Sequence, residues 1–282
     1  MRIVTGSIAR RCSAALFAVI ALYGCSKEPA PPKQGAGVPT TTAKTDDSAA
    51  GTVDLGTTAY HVVPMAGVGS VTGTITRDGS APLVSDTATG TPDQQICGKK
   101  VETVTATTSK GLANAVIWIA NVTAGKSLPV ERRIELASEE CALDPRVQAA
   151  VAGTTVNVEN DDKVLHKFIF THLGKHDTLT VVRFFDAGEV VVSERIAKTA
   201  GIVEVRCALH PWTRGYVAVF DHPYYAVSEK NGSFTIDSLP PGSYHVMVWH
   251  EGAGKPVEHQ VQVAAGGTSR MDLTLRVDRF PR

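Results

Sequence analysis

Two residues with metal-binding side chains, Cys207 and His210, lie close together in the stretch CALHPW. A thiolate and an imidazole on one short loop can bind the same metal ion, and a thiolate favours soft ions such as Cu(I). An earlier histidine, His166, follows a predicted strand and turn in VNVENDDKVLHKF. One thiolate and two imidazoles in a near-trigonal plane are the strong ligands of a mononuclear, type 1-like copper site. The sequence therefore predicts metal binding by His166, Cys207 and His210.

The N-terminal residues 1–25 have the pattern of a bacterial lipoprotein signal. Arginines precede the apolar run AALFAVIALYG, which is too short to span a membrane comfortably. LYGC ends the run as a lipobox does, so Cys25 is predicted to carry lipid; cleavage elsewhere and an uncleaved anchor are the alternatives. Ser26 follows, which by resemblance to sorted lipoproteins favours the outer membrane, facing the periplasm or the cell surface. Residues 26–65, rich in Pro, Gly, Ser and Thr, predict a flexible tether.

The cysteine count separates Cys207 from the other four cysteines. Of the five in the chain, Cys12 lies in the predicted signal and Cys25 is the predicted lipid site. Three remain, and in an oxidising compartment two of them are expected to pair. Cys97 and Cys141 lie in polar, loop-like settings without a nearby histidine, so we predict a disulfide between them, worth about 4 kcal/mol in the chain-entropy model. Cys207 is left to bind a metal or, alternatively, to fill the core as a small apolar residue.

The overall composition is that of a globular protein, with 43% hydrophobic and 20% charged residues. The 28 basic and 28 acidic residues cancel, so neither nucleic-acid binding nor a basic membrane-surface role is expected. Short segments from SVTGTITRDG to RMDLTLRV alternate or run apolar between turn residues, without a sustained helical period. This pattern predicts an all-β protein built from sandwiches. The segment PRVQAAVAG fits a helical turn or a strand equally well.

Two separated stretches resemble the carboxypeptidase regulatory-like (transthyretin-like) β-sandwich. GSVTGTITRDGSAP and GLANAVIWIANV are similar to its opening, and NGSFTIDSLPPGSYHVMVWHEG to its closing half, where Asn231-Gly232 predicts a hairpin turn. We predict this sandwich over residues 66–124 plus 223–282, with a second domain inserted at 125–222. Two consecutive domains that divide after residue 222 are the alternative, although about sixty residues make a thin core.

The stretch from near Arg133 to Phe220 resembles the cupredoxin family, a Greek-key β-sandwich, and in its loop style the amicyanin-like members. The resemblance covers AGTTVNVENDD, LHKF and VEVRCALHPWTRGYVAVF. It implies that His166, Cys207 and His210 are the three strong ligands of a single copper ion.

Two residues depart from the cupredoxin pattern. Thr213 stands at the weak axial position, where the family has Met, and Lys167 stands where Asn commonly ties the two ligand loops together. Because the axial bond is weak and long, its loss need not abolish binding. The missing thioether is expected to raise the reduction potential. Zinc held by one Cys, two His and water is an alternative, as is a vestigial site without metal.

Together with the predicted lipobox, the resemblance implies a lipid-anchored, extracytoplasmic copper-binding protein with a role in electron transfer or copper handling. Its expected partners are the membrane, through the lipid, and a redox protein that exchanges electrons through His210. The alternative is a non-catalytic surface protein that binds glycans or proteins and carries a vestigial copper site. The sequence has no Gly-x-Ser-x-Gly elbow, His-Glu-x-x-His helix or phosphate-binding loop, so we do not expect an enzyme.

Overall fold

Nearly all regular structure in the computed structural model is β-strand. The model describes residue 55 and residues 59–78, 91–97, 111–175 and 177–277. The predicted signal with Cys25 and most of the predicted tether lie outside the described residues. No helix among the described residues has the length and apolar character needed to cross a membrane.

The elements are numbered in chain order. The first are β1 His61–Val62, β2 Gly69–Asp78, α1 Gln94–Cys97, β3 Val116–Ile119 and β4 Ala124–Gly125. Next come β5 Arg133–Glu139, β6 Ala142–Asp144, β7 Val147–Val151, β8 Thr154–Asn160, β9 His166–His172, β10 Thr178–Phe184, β11 Glu189–Ala197, β12 Gly201–Cys207 and β13 Arg214–Phe220. The last are β14 Tyr225–Val227, β15 Ser233–Leu239, β16 Gly242–Trp249, β17 Val257–Val263 and β18 Thr268–Arg276.

Strands β5–β13 form a sandwich of two sheets, called here the inner sandwich. One sheet has the order β10-β9-β12-β13-β7 and the other the order β11-β8-β5-β6. Two pairs, β5 with β8 and β13 with β7, are parallel, so strands distant in sequence lie side by side as in a Greek key. Alternating apolar residues of both sheets, such as Val156, Phe168 and Val205, fill the core between them.

Strands β2, β3 and β14–β18 form a second sandwich, the outer sandwich. Its sheets have the orders β14-β3-β16-β17 and β15-β2-β18. Strand β2 lies between β15 and β18, which come from the far end of the chain. In sequence, the inner sandwich thus lies between β2–β3 and β14–β18, which pair with each other in the sheets of the outer sandwich. The domain boundaries at 124/125 and 222/223 stay a prediction.

The two sandwiches pack face to face, and β13 is the strand most deeply involved. All seven of its residues are buried. Val217 and Val219 point into the inner core, whereas Tyr216 and Phe220 face Trp118 and other residues of the outer sandwich. Because a strand covered on both faces needs no polar side, the run GYVAVF is apolar throughout. All described residues belong to one compact unit, Thr40–Arg282.

The chain leaves and re-enters the outer sandwich at a single place, around Tyr224. The backbone N–H of Lys126 donates to the Tyr224 hydroxyl at 2.8 Å, and that hydroxyl donates to the Ser238 carbonyl at 3.0 Å. The ring also covers Gly125, where an added Cβ would lie 2.0 Å from the hydroxyl oxygen. A residue larger than glycine at position 125 would therefore displace Tyr224 and open the junction.

The buried histidines His222 and His250 are expected to make the folded protein less stable in acid. Each accepts a backbone N–H at Nδ1, from Tyr224 at 3.2 Å and from Gly252 at 3.0 Å. Burial lowers the pKa of each imidazole to about 4. The unfolded chain therefore binds protons first, and stability falls as the pH drops from about 6.5 to about 4, by about 3 kcal/mol for each histidine.

Urea unfolding of the wild type and of His250→Asn between pH 7 and pH 4 measures this effect. Asparagine keeps an acceptor for the Gly252 N–H but does not titrate in this range. We expect its unfolding free energy to decrease by about 3 kcal/mol less than that of the wild type. Equal pH dependence in the two proteins would contradict the role of His250.

Candidate metal centre

The structure brings His166, Cys207 and His210 together at one end of the inner sandwich. His166 is the first residue of β9, and Cys207 is the last residue of the neighbouring β12, while His210 lies in the loop that follows. The Cys207 Sγ lies 3.5 Å from His166 Nδ1 and 3.6 Å from His210 Nδ1, and the two nitrogens are 3.2 Å apart. The three side chains are buried. They form a nearly equilateral triangle of ligand atoms in a dry environment.

The size of this triangle suits a transition-metal ion. The centre of a triangle with such sides lies about 2 Å from each corner, close to metal–imidazole bonds of about 2.0–2.1 Å and metal–thiolate bonds of about 2.3 Å. Among the described residues, no fourth His, Cys, Asp or Glu joins this group. Two other groups of candidate ligands include Cys141, whose sulfur is in a disulfide. The donor set is therefore one thiolate and two imidazoles.

Asp162 orients His166. Its Oδ2 lies 3.0 Å from His166 Nε2, and it also accepts hydrogen bonds from the Ser138 hydroxyl at 2.7 Å and the Cys141 backbone N–H at 3.0 Å. Burial opposes ionisation of this carboxyl, but these hydrogen bonds outweigh it and hold the pKa of Asp162 below its ordinary value. A carboxylate on the far nitrogen fixes the ring and directs Nδ1 into the triangle.

Asp93 supports His210 in the same way, from a distant part of the chain. Its Oδ2 lies 3.1 Å from His210 Nε2. His210 is only 2% exposed, so its outer edge does not reach the surface. Trp212 packs beside it, with ring centroids 5.2 Å apart. Both histidines thus have a carboxylate on Nε2 and leave Nδ1 facing Cys207.

The metal-free site is an ion cluster. Burial alone would raise the pKa of the Cys207 thiol, but hydrogen bonds from both histidines and nearby backbone groups lower it to about 5. Burial likewise opposes a charge on His166, yet its bonds to Asp162 and Cys207 raise its pKa to about 9. The pKa of His210 is also raised, against burial, by Cys207 and Asp93. A thiolate is therefore ready for a metal at neutral pH.

Backbone and hydroxyl contacts hold the two ligand loops together. The Ala208 N–H donates to the Lys167 carbonyl at 2.8 Å, so the loops are joined at the position where the cupredoxin pattern has an asparagine. Thr213 is buried, and its hydroxyl donates to the Cys141 carbonyl. The proton of that hydroxyl is thus engaged, and an axial role for its oxygen stays a prediction.

The disulfide predicted from the cysteine count is present, between Cys97 and Cys141. Among the described cysteines, Cys207 is free. The two half-cystines pack with Ile96, Val164 and Trp212 in a small apolar cluster beside the metal centre. The disulfide therefore packs beside the metal centre, in addition to closing a loop of the chain.

Comparison with known families identifies the closing half of the outer sandwich. Residues 212–276 match the carboxypeptidase regulatory-like domain. The match begins in the ligand loop and runs through β13 to the end of β18. Strands β2 and β3 lie outside the matched range and pair with strands inside it.

The solved structures that the chain resembles include cupredoxins. A purple cupredoxin from Nitrosopumilus maritimus is 20% identical over 30% of this chain and 97% of its own, with a TM-score of 0.25. Auracyanin A, a blue copper protein from Chloroflexus aurantiacus, is 22% identical over 31% and 97%, with a TM-score of 0.26. A reduced amicyanin mutant is 20% identical over 33% and 96%, with a TM-score of 0.27. No curated protein sequence matches the chain.

Sequence reasoning missed both carboxylates that support the histidines. Asp162 lies four residues before His166 in ENDDKVLH, and an acidic residue so near a candidate ligand is a usable signal. Asn160 organises this loop, because its side-chain amide donates to three backbone carbonyls. Asp93 is 117 residues from His210 and lies in the stretch between β2 and β3, so no local pattern could reveal it.

Proposed function

We propose that the protein binds one copper ion through His166, Cys207 and His210 and serves in electron transfer. The observation that carries the proposal is the buried triangle of one sulfur and two Nδ1 atoms, with sides of 3.2–3.6 Å. Bound copper would supply one-electron chemistry, cycling between Cu(II) and Cu(I). The residues of the chain hold the ligand atoms in place and exclude water.

The donor set favours copper over zinc. Structural zinc sites take four protein ligands in a tetrahedron, and catalytic zinc sites keep an open position for water or substrate. The described residues offer three ligands, all of them buried. A trigonal set of two imidazoles and one thiolate with a weak axial neighbour suits copper in both oxidation states.

A resident copper ion suits electron transfer better than copper delivery. Both imidazoles are held by carboxylates, so the ligand atoms are preorganised. A protein that passes copper on needs ligands that a partner can reach, whereas these are buried. Leu165 and Leu209, each beside a ligand histidine, are 42% and 48% exposed. They give the metal end an apolar surface for brief contact with a redox partner protein.

The cellular setting of the proposal rests on the sequence. We propose a lipid on Cys25 that anchors the protein in the bacterial envelope, at the outer membrane, with residues 26–65 as a tether. Several acyl chains together anchor a protein stably. The regulatory-like domain is then a non-catalytic partner of the copper domain, and the protein is not an enzyme. Mass analysis of the mature N-terminus tests the lipid on Cys25.

Titration of the metal-free full chain with Cu(II) tests the proposed function. We expect one copper bound per chain and an intense visible absorption from the thiolate-to-copper transition. Zn(II) added to the metal-free chain serves as the control, since zinc has no such transition. Absence of stoichiometric copper would overturn the proposal and favour the vestigial site. Copper bound without the absorption would overturn the assignment of Cys207 as a ligand.

A further inference from the structure

A short stretch that lies between β2 and β3 in sequence, Thr91–Cys97, packs against the metal centre of the inner sandwich; we call it the covering segment. It contains α1 and is held in a tight turn, because the N–H groups of Ile96 and Cys97 both donate to the Asp93 carbonyl, at 2.9 and 2.8 Å. The same turn directs the Asp93 carboxylate at His210 Nε2. The segment therefore brings a charge to the imidazole edge and covers that edge at the same time.

The covering segment is bonded covalently to the support of the other histidine. Cys97 is joined to Cys141, whose backbone N–H donates to Asp162, the carboxylate that holds His166. The Cys141 carbonyl in turn accepts the hydroxyl proton of Thr213 in the ligand loop. The disulfide thus connects the two carboxylate–histidine pairs, which reach the metal centre from different parts of the chain.

We propose that the covering segment completes the metal centre. In this proposal Asp93 positions His210, and the Cys97–Cys141 disulfide keeps Asp93 and Asp162 at fixed positions relative to each other. This inference rests on the metal binding proposed above. Asp93 is a positioning residue, since it acts through the His210 ring and not on the metal.

The physical basis is the orientation of a ring that carries a nitrogen on each of two edges. An imidazole in a short loop can rotate about its side-chain bonds, so a partner on Nε2 helps to keep His210 Nδ1 directed at Cys207. Loss of a carboxylate that holds a ligating histidine typically weakens metal binding about 10- to 100-fold. The disulfide prevents the covering segment from moving away. Such a movement would remove the Asp93 carboxylate and expose the Cys207 thiolate at the same time.

Copper titrations of Asp93→Ala and Asp93→Asn in the full chain test the positioning role. We expect Asp93→Ala to weaken Cu(II) binding about 10- to 100-fold, to shift the thiolate-to-copper absorption and to raise the reduction potential. Asp93→Asn keeps an acceptor oxygen and should recover part of the affinity. Gln95→Ala, at an exposed position of the same segment, is the matched control and should behave like the wild type.

A measurement without metal tests the cover itself. Cys207 in the metal-free chain is alkylated with iodoacetamide, and its modification is followed by peptide mass analysis, which separates it from the other cysteines. We expect faster alkylation in Asp93→Ala and in the double variant Cys97→Ser/Cys141→Ser than in the wild type or Gln95→Ala. The far-ultraviolet circular dichroism of each variant checks folding, and if the double variant does not fold, Asp93→Ala decides the result.

The outcomes separate this inference from the proposed function. If the wild type binds no copper, the proposed function fails, and the alkylation rates still decide whether the segment covers Cys207. If the wild type binds copper and the Asp93→Ala protein matches it in affinity, spectrum and alkylation rate, the inference is overturned while copper binding stands.

Discussion

Replacing Cys207 by alanine is expected to abolish the visible thiolate-to-copper absorption and to cause the largest loss of copper affinity of any single change in the metal centre. The sulfur is one corner of the ligand triangle, and the remaining imidazoles lie 3.2 Å apart with no other described Cys, His, Asp or Glu to complete the set. The loss should exceed the roughly 10- to 100-fold that removal of a supporting carboxylate causes. Optical titration with Cu(II), together with competition against a chelator of known affinity, measures both effects.

Two further variants show whether the absorption depends on the Cys207 sulfur. Cys207→Ser keeps the size of the side chain but supplies a hydroxyl, which is a poor ligand for Cu(I), so it should lose the absorption as well. Leu209→Ala changes an exposed side chain of the same loop and should leave the absorption unchanged. An absorption that survives in Cys207→Ala would assign the thiolate to another cysteine and overturn the site.

Glu251→Ala is expected to lower the free energy of unfolding by about 3–5 kcal/mol, because it removes one partner of a buried, hydrogen-bonded ion pair. Arg146 comes just before β7 of the inner sandwich, and Glu251 follows β16 of the outer sandwich. Their two hydrogen bonds are 2.7 and 2.9 Å long, and the side chains are 6% and 1% exposed. Arg146 also donates to the Arg214 carbonyl at 2.9 Å. The pair therefore joins the two sandwiches in a region that water does not reach.

Denaturant unfolding followed by circular dichroism measures this effect, and the chain provides a matched control. Lys126 and Asp237 form an ion pair in which the side chains are 28% and 67% exposed, so Asp237→Ala should cost less than about 1 kcal/mol. The double change Arg146→Met/Glu251→Leu should restore much of the stability, since apolar residues of similar volume often replace a buried ion pair without loss. A Glu251→Ala protein as stable as the Asp237→Ala protein would contradict the argument.

The sequence was sufficient for the parts of the fold and site that depend on local patterns. Period-two alternation predicted strands such as β8, and the loop CALHPW with an earlier histidine predicted the three candidate ligands. The segment PRVQAAVAG, which fitted a helix or a strand, forms β7 because it pairs in parallel with β13, a partner that no local pattern reveals. Strand β11 was not predicted, because its exposed face carries valines where alternation requires polar residues.

Interactions between distant parts of the chain could not be predicted in this way. The pattern gives no sign that Asp93 reaches His210, because the contact depends on how the two sandwiches pack. The raised reduction potential expected from the missing axial thioether stays a prediction. The negative charges of Asp93 and Asp162 beside the imidazoles would act in the opposite direction, because they would favour Cu(II).

The junction at Tyr224 has a consequence for the order in which the protein folds. Strand β2 pairs with β18 in a register that joins Ser70 to Thr268, and an unfolded chain must close a long loop to form that pair, at a cost in entropy that rises slowly with loop length. Most strands of the inner sandwich have partners much nearer in sequence and can form first. Once it has formed, Lys126 and Tyr224 are in contact, so the loop that β3 and β14 close when Trp118 pairs with Tyr225 becomes short. We therefore expect the inner sandwich to help the outer one to form, and damage that unfolds the inner sandwich to hinder the pairing of β3 with β14.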